Sequence, residues 1–217
     1  MDVEREKRLA AEAAALLVED GMAVGLGTGS TVSAFLPLLA ERGLRLRCVA
    51  TSLRTEEEAR AHGLPVEPFM GVTALDRLDL AVDGADQVAR DGWVVKGGGA
   101  AHTREKLVAA AADRFVVIVS SDKLVERLRP PVPLELLAYG LASTLRRLDT
   151  VSLRDAPPSP DGNVIADYHG DVADPAALSA ALSAMPGVVE HGLFPPWSTT
   201  EILVAHGEDV ERIVPGE

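Results

Sequence analysis

Apolar positions along residues 4–119 fall into two alternating patterns: short, nearly continuous runs and longer stretches with helical spacing. Residues 4–19 are rich in alanine and leucine and predict a helix that stops at Gly21. Residues 22–27 read as a buried strand, and a helix is expected to start near Ser30. A second strand covers 45–51, followed by a helix over 55–61 that Gly63 terminates. Residues 78–82 and 93–95 are further strands, and a helix over 102–112 leads into a strand at 115–119. Strands that are apolar throughout, alternating with helices, predict an α/β fold with a mainly parallel sheet covered on both faces.

The pattern changes after Lys123. Arg129-Pro-Pro-Val-Pro133 is a breaker cluster that reads as a hinge or boundary. Beyond it lie a strand (134–137), a helix (138–148), a strand (151–154), a Pro- and Gly-rich turn, a strand (164–168), a helix (175–185) and a strand (188–194). That β-α-β-β-α-β order is the split βαβ unit, a smaller α+β domain. The predicted division is therefore 1–128 plus 201–217 for the larger domain and 129–200 for the smaller. Residues 201–206 form a last strand whose sheet the pattern alone does not assign.

Composition narrows the picture. A chain of 217 residues, 47% apolar and 25% charged, can fold around real cores. Its net charge of −12 argues against nucleic acid or an anionic membrane as the main partner. An anionic substrate then needs a local positive site. No apolar run approaches the roughly 18 residues of a membrane span. Residues 1–8 lack the apolar core of a signal peptide. Cys48, the only cysteine, admits no intramolecular disulfide and reads as a small buried filler. A cytoplasmic protein is expected.

Four short segments carry the chemistry. Gly25-Leu-Gly-Thr-Gly-Ser-Thr31 follows a strand and opens a helix. It is not a dinucleotide fingerprint: the third glycine of that pattern would be residue 30, which is Ser30, and no acid follows the next strand at Thr51-Ser52. A tight turn with hydroxyls at a helix start remains, suited to a phosphate or to plain N-capping by Ser30 or Thr31. Asp83-Gly-Ala-Asp86 pairs two acids around a bend; it is either an acid/base pair or an Asx-type turn. Lys96-Gly-Gly-Gly99 weakens strand and helix alike, which points to close backbone approach by a ligand, with Lys96 facing an oxyanion or a phosphate, or else to a flexible loop around a Lys96–aspartate pair. Glu105, in Thr103-Arg-Glu-Lys106, is by itself a common first-turn helix stabiliser. Its nearness to Lys96 makes it also a candidate base. The five histidines share no metal-ligand spacing, and His102 merely adjoins the site region.

Together these segments resemble the type A ribose 5-phosphate isomerase family. Asp161-Gly-Asn-Val-Ile165, Pro186-Gly-Val-Val189 and Gly192-Leu-Phe194 extend the likeness, which runs from about Lys7 to the C-terminus. The resemblance implies a Rossmann-like catalytic domain with a ferredoxin-like small domain, in dimers or tetramers. It implies interconversion of D-ribose 5-phosphate and D-ribulose 5-phosphate through an enediolate, without metal or organic cofactor. By that likeness Glu105 moves the proton between C2 and C1, while Asp83, Asp86 and Lys96 handle hydroxyl protons, ring opening and enediolate charge. Thr28, Gly29, Ser30 and Thr31, with Lys7 and Lys123, then surround the phosphate. Gly84, Ala85, Gly97, Gly98 and Gly99 complete the substrate contacts. The chain departs from the family pattern at Leu53, at 136–140 and at 195–200, outside the four segments.

Overall fold

The computed structural model describes residues 2–215; Met1, Gly216 and Glu217, at the ends of the larger predicted domain, lie outside the described residues. The chain runs through α1 (Val3–Ala15), β1 (Ala23–Leu26), α2 (Ser30–Glu41), β2 (Arg47–Ala50), α3 (Leu53–Ala61), β3 (Leu78–Asp83), β4 (Gln87–Ala89) and β5 (Val94–Val95). It continues through α4 (His102–Ala111), β6 (Ala112–Ser120), β7 (Leu124–Val125), β8 (Val132–Leu136), α5 (Leu141–Leu148), β9 (Val151–Leu153) and β10 (Val164–Tyr168). Last come α6 (Pro175–Ser183), β11 (Val188–His191), β12 (Leu193–Phe194), β13 (Glu201–His206) and β14 (Asp209–Ile213).

The main sheet has the order β14-β13-β6-β3-β1-β2 and is parallel except for β14. Period-2 alternation splits its side chains between two cores. In β6, Val116 and Ile118 join the helical residues Ala10, Ala14, Phe35 and Leu39 on one face. Val117 and Val119 join Val108 and Ala109 of α4 on the other. The chain leaves β1 in one direction to form β2 and returns on the other side of β1 to form β3. The gap between the carboxyl ends of β1 and β3 is thus the topological switch point, where such sheets bind ligands.

The second sheet, β11-β8-β10-β9, is antiparallel throughout. Taken in chain order its strands lie 4-1-3-2, the ferredoxin-like arrangement, with a core of Val132, Leu134, Leu136, Ala166 and Leu182. The fold is therefore α/β, a Rossmann-like sheet joined to a smaller α+β unit.

Three differences from the sequence reading have physical causes. The first helix ends at Ala15 rather than 19, because Leu17 and Val18 donate to carbonyls three residues back and tighten the last turn. The stretch 188–194 is two strands rather than one: it leaves β8 at Gly192 and enters a third sheet, β12-β5-β4-β7. There Gly192 accepts a bond from the Lys96 N–H at 2.9 Å, and a Cβ on Gly192 would stand 2.1 Å from the Lys96 carbonyl oxygen. The pairs at β4, β5 and β7 are two or three residues long, too short for periodicity to announce, and β5 stands in this third sheet rather than the parallel one.

Candidate active site

Two of the four segments end strands of the main sheet, β1 and β3; the third follows β5 of the third sheet and leads to α4, whose first turn carries the fourth, and the fold gathers them around one crevice. At the end of β1, Gly27 donates to the Val82 carbonyl, and a Cβ there would fall 2.0 Å from the Asp83 Cγ. Only glycine lets the turn close this tightly on Asp83. The Thr28 N–H then donates to Asp83 Oδ1 at 3.1 Å, and the Gly84 N–H does so at 2.7 Å. The Thr28 hydroxyl faces a cluster of hydroxyls, 2.7 Å from Thr51 Oγ1 and 2.9 Å from Ser52 Oγ, which ties the turn to the end of β2.

Gly29 is the N-cap of α2 and adopts φ 133°, and no side chain caps the helix. Ser30 and Thr31 are its first residues, so neither takes the plain N-cap role. The leading N–H groups of α2 stay uncapped at the crevice wall, which suits an anion.

Opposite that wall lies a buried triad. The Lys96 ammonium stands 2.9 Å from Asp83 Oδ2 and 3.1 Å from Glu105 Oε2, with all three side chains 2% exposed. It also donates to the Gly84 carbonyl at 2.6 Å and lies 5.6 Å from the Phe194 ring centroid. The triad holds two carboxylates against one ammonium. Burial, followed by the Asp83 charge, pushes the Glu105 carboxyl up to about 8 against the pull of Lys96. Burial also raises the Asp83 carboxyl, opposed by Lys96 and by the Thr28 and Gly84 N–H groups. Desolvation works to lower the Lys96 pKa, but Asp83 and Glu105 together raise it, so the ammonium stays charged. A carboxyl that titrates near neutrality beside a permanent cation is fitted to take up and return a proton.

The crevice has a volume of about 150 Å³. Its walls are Thr28, Gly29, Ser30, Thr31, Gly84, Ala85, Asp86, Lys96, Gly97, Gly98, Gly99, Glu105 and Lys123. Asp86 is exposed at the rim and accepts from the Gly98 N–H at 2.7 Å. Lys123 reaches the wall while pairing with Asp122 at 3.0 Å. Asp83 stands behind the wall, where it touches Lys96 and the N–H groups of the two turns. Lys7 is not brought to the wall: its ammonium pairs with Glu4 at 2.6 Å.

Two supporting residues carry no sequence signal of their own. Glu6, buried in α1, accepts from the Ser121 N–H and hydroxyl at 2.9 and 2.7 Å and from the Gly207 N–H at 3.0 Å, which fixes the turn bearing Lys123. Arg154 donates from the smaller unit to the Gly97 and Gly98 carbonyls at 2.9 and 3.2 Å. His102 is fully buried beneath Gly97, and burial lowers its pKa to about 4, which keeps it neutral. Among the described residues no group of three or more His, Cys, Asp or Glu side chains is arranged to hold a metal ion. No described helix is long and apolar enough to cross a membrane.

Comparison with known proteins agrees with this geometry. The family model for ribose 5-phosphate isomerase A (phosphoriboisomerase A) matches residues 47–209. The ribose-5-phosphate isomerase A of Natronomonas pharaonis is 45% identical, with 96% of each chain covered. The crystal structure of ribose 5-phosphate isomerase A from Neisseria gonorrhoeae superposes with a TM-score of 0.91 at 31% identity, covering 99% of this chain and 98% of that one. A D-ribose-5-phosphate isomerase in complex with phospho-erythronic acid superposes with a TM-score of 0.90 at 34% identity, covering 99% and 100%.

Proposed function

The chain belongs to the ribose 5-phosphate isomerase A family, and on that premise we propose that the crevice between β1 and β3 interconverts D-ribose 5-phosphate and D-ribulose 5-phosphate, with Glu105 as the base. The observation that carries the assignment is the buried Glu105–Lys96–Asp83 triad opening onto an uncapped helix start.

The phosphate lies against Ser30, Thr31 and the N-terminus of α2, with Lys123 across from it; this is the local positive site that a chain of net charge −12 needs for an anionic substrate. Lys7, one residue after Glu6 on α1, joins it by exchanging Glu4 for the phosphate. Binding the phosphate sets the sugar chain along the glycine run toward Glu105. In the open-chain aldose the Glu105 carboxylate removes the C2 proton, and the electron pair moves into a C1–C2 double bond as charge collects on O1. The Lys96 ammonium faces that charge. Asp86 on the wall serves the hydroxyl protons, with Asp83 behind it holding Lys96: on ring opening the O1 hydroxyl gives up its proton and the ring oxygen gains one, and in the isomerisation the O2 proton leaves and O1 gains one. Glu105 returns its proton to C1 and leaves the ketose. Carbon is neither lost nor gained, and one group serves as base and then as acid.

A structural analogue of the substrate supports this reading: a solved relative binds phospho-erythronic acid, a phosphorylated sugar acid. A regulator without catalysis is disfavoured, because all four acid/base side chains are in place. We also propose a cytoplasmic setting, supported by a lone Cys48 whose thiol burial pushes up to about 12. Assembly as a homodimer is proposed as well, supported by exposed Tyr139 and Trp197, and sedimentation would test it. The functional test is direct. Purified protein given ribose 5-phosphate in the presence of a metal chelator and without added nucleotide should form ribulose 5-phosphate; no ketose would overturn the reading.

A further inference from the structure

The peptide between Gly97 and Gly98 is held from both ends by residues of different sheets. Its N–H donates to Asp86 Oδ2 at 2.7 Å, at the edge of the main-sheet unit. Its carbonyl accepts from Arg154 Nη1 at 2.9 Å, and the next carbonyl, of Gly98, accepts from the same nitrogen at 3.2 Å. Arg154 follows β9 in the smaller unit, and its remaining nitrogens are clamped by Asp167 of β10, the Nε at 2.9 Å from Oδ2. The backbone of Arg154 is itself fixed, since its N–H donates to the Ile165 carbonyl at 3.0 Å. The guanidinium is therefore held in place by these contacts and only partly exposed.

This matters because glycine flanks the peptide on both sides, and Gly97 adopts φ 106°. Two glycines leave a peptide free to rotate between orientations that any side chain would forbid. A turn of that peptide would take the donor away from Asp86 and put a carbonyl oxygen in a crevice built for an anion. Across a trans peptide the carbonyl and the N–H point in opposite directions. Two carbonyls drawn to Arg154 thus send the N–H groups of Gly98 and Gly99 the other way, and Gly98 does meet Asp86 there. The carbonyl bond to a cation also polarises the peptide and strengthens its N–H as a donor.

We propose that Arg154 is a positioning residue of the isomerase: held by Asp167, it locks the Gly97–Gly98 peptide and through it the Asp86 carboxylate, so that the smaller unit completes the active site of the larger. The proposal rests on the functional reading above. It gives the smaller unit a part in turnover.

Steady-state kinetics on ribose 5-phosphate test it with Arg154→Met, Arg154→Lys and Asp167→Asn beside the wild type. Arg154→Met should lower kcat by about tenfold or more while KM moves less than about threefold, because the phosphate end is untouched and the acid/base end is loosened. Arg154→Lys, which keeps a cation for the two carbonyls, should recover most of that loss. Asp167→Asn should lower kcat about threefold with KM unchanged, and it carries the test if Arg154→Met does not fold. A kcat within about twofold of wild type in Arg154→Met or Asp167→Asn overturns the proposal, as does an Arg154→Lys variant no better than Arg154→Met. The wild type separates the two claims: no wild-type turnover defeats the functional reading, whereas normal wild-type turnover beside unaffected variants defeats only this one.

Discussion

Lys96 lies 3.1 Å from Glu105, both side chains are 2% exposed, and a second carboxylate, Asp83, shares the same ammonium at 2.9 Å. One buried cation therefore serves two buried anions. The triad is short of one positive charge, and the shortfall falls on Glu105, the member farther from Lys96 and without the backbone donors that support Asp83. A proton on Glu105 balances the charge. In the proposed mechanism that is the state Glu105 reaches after it has taken the C2 proton.

The first consequence is a pH dependence. Glu105 titrates at about 8 in the folded protein, so the fraction ready to act as a base grows as pH rises through that value. The kcat/KM of the wild type should climb from pH 6 to about 9 and then level, as long as Lys96 keeps its charge. A flat profile over that range would show that Glu105 is already ionised.

Stability should move the other way. An acid whose folded pKa is raised above its unfolded value binds more protons when folded, so stability falls as pH rises between the two. For Glu105 that window runs from 4.5 to about 8. Glu105→Gln removes the titrating group, and its melting temperature relative to wild type should rise across that window. A constant difference would contradict the shift.

Removing the ammonium should be costly. Lys96→Met leaves Asp83 and Glu105 buried without their cation, a loss of roughly 3–5 kcal/mol for a broken buried pair. Because the two carboxyls can take up protons instead, the loss should be smaller at pH 5 than at pH 8. Thermal melts at both values check this, and equal destabilisation would argue that the triad is not ionised as described.

The phosphate end is separable from the acid/base end. Ser30→Ala with Thr31→Ala removes two donors at the start of α2 and should raise KM for ribose 5-phosphate about tenfold while kcat changes little. An unchanged KM would place the phosphate elsewhere.

Much of the proposed active-site crevice can be read from the chain because its groups are local in sequence. The Gly25–Thr31 and Asp83–Asp86 segments each end a strand of the parallel sheet, and such strand ends share one edge, while Lys96–Gly99 follows β5 of the third sheet and leads into α4. Thirteen wall residues had all been expected there. Lys7 was expected at the phosphate too, yet its ammonium pairs with Glu4, one turn back on the same helix, and it does not reach the crevice wall. What stayed hidden depends on long-range placement. Arg154 lies 57 residues from Gly97 and follows a short strand with no distinguishing pattern. Glu6 sits in a helix whose acidic residues look alike, although only it is buried. The division of 188–194 between two sheets rests on the approach of Gly192 to the Lys96 backbone, which no period in the sequence records.

The central claim is that Glu105 carries the C2 proton. Glu105→Gln keeps the shape of the site and removes the base. Ribulose 5-phosphate formation by this variant, measured against wild type at pH 8 alongside binding of ribose 5-phosphate, should fall by about 10²–10⁴-fold with binding retained. Turnover within about tenfold of wild type would contradict the account and move the base to another residue of the crevice.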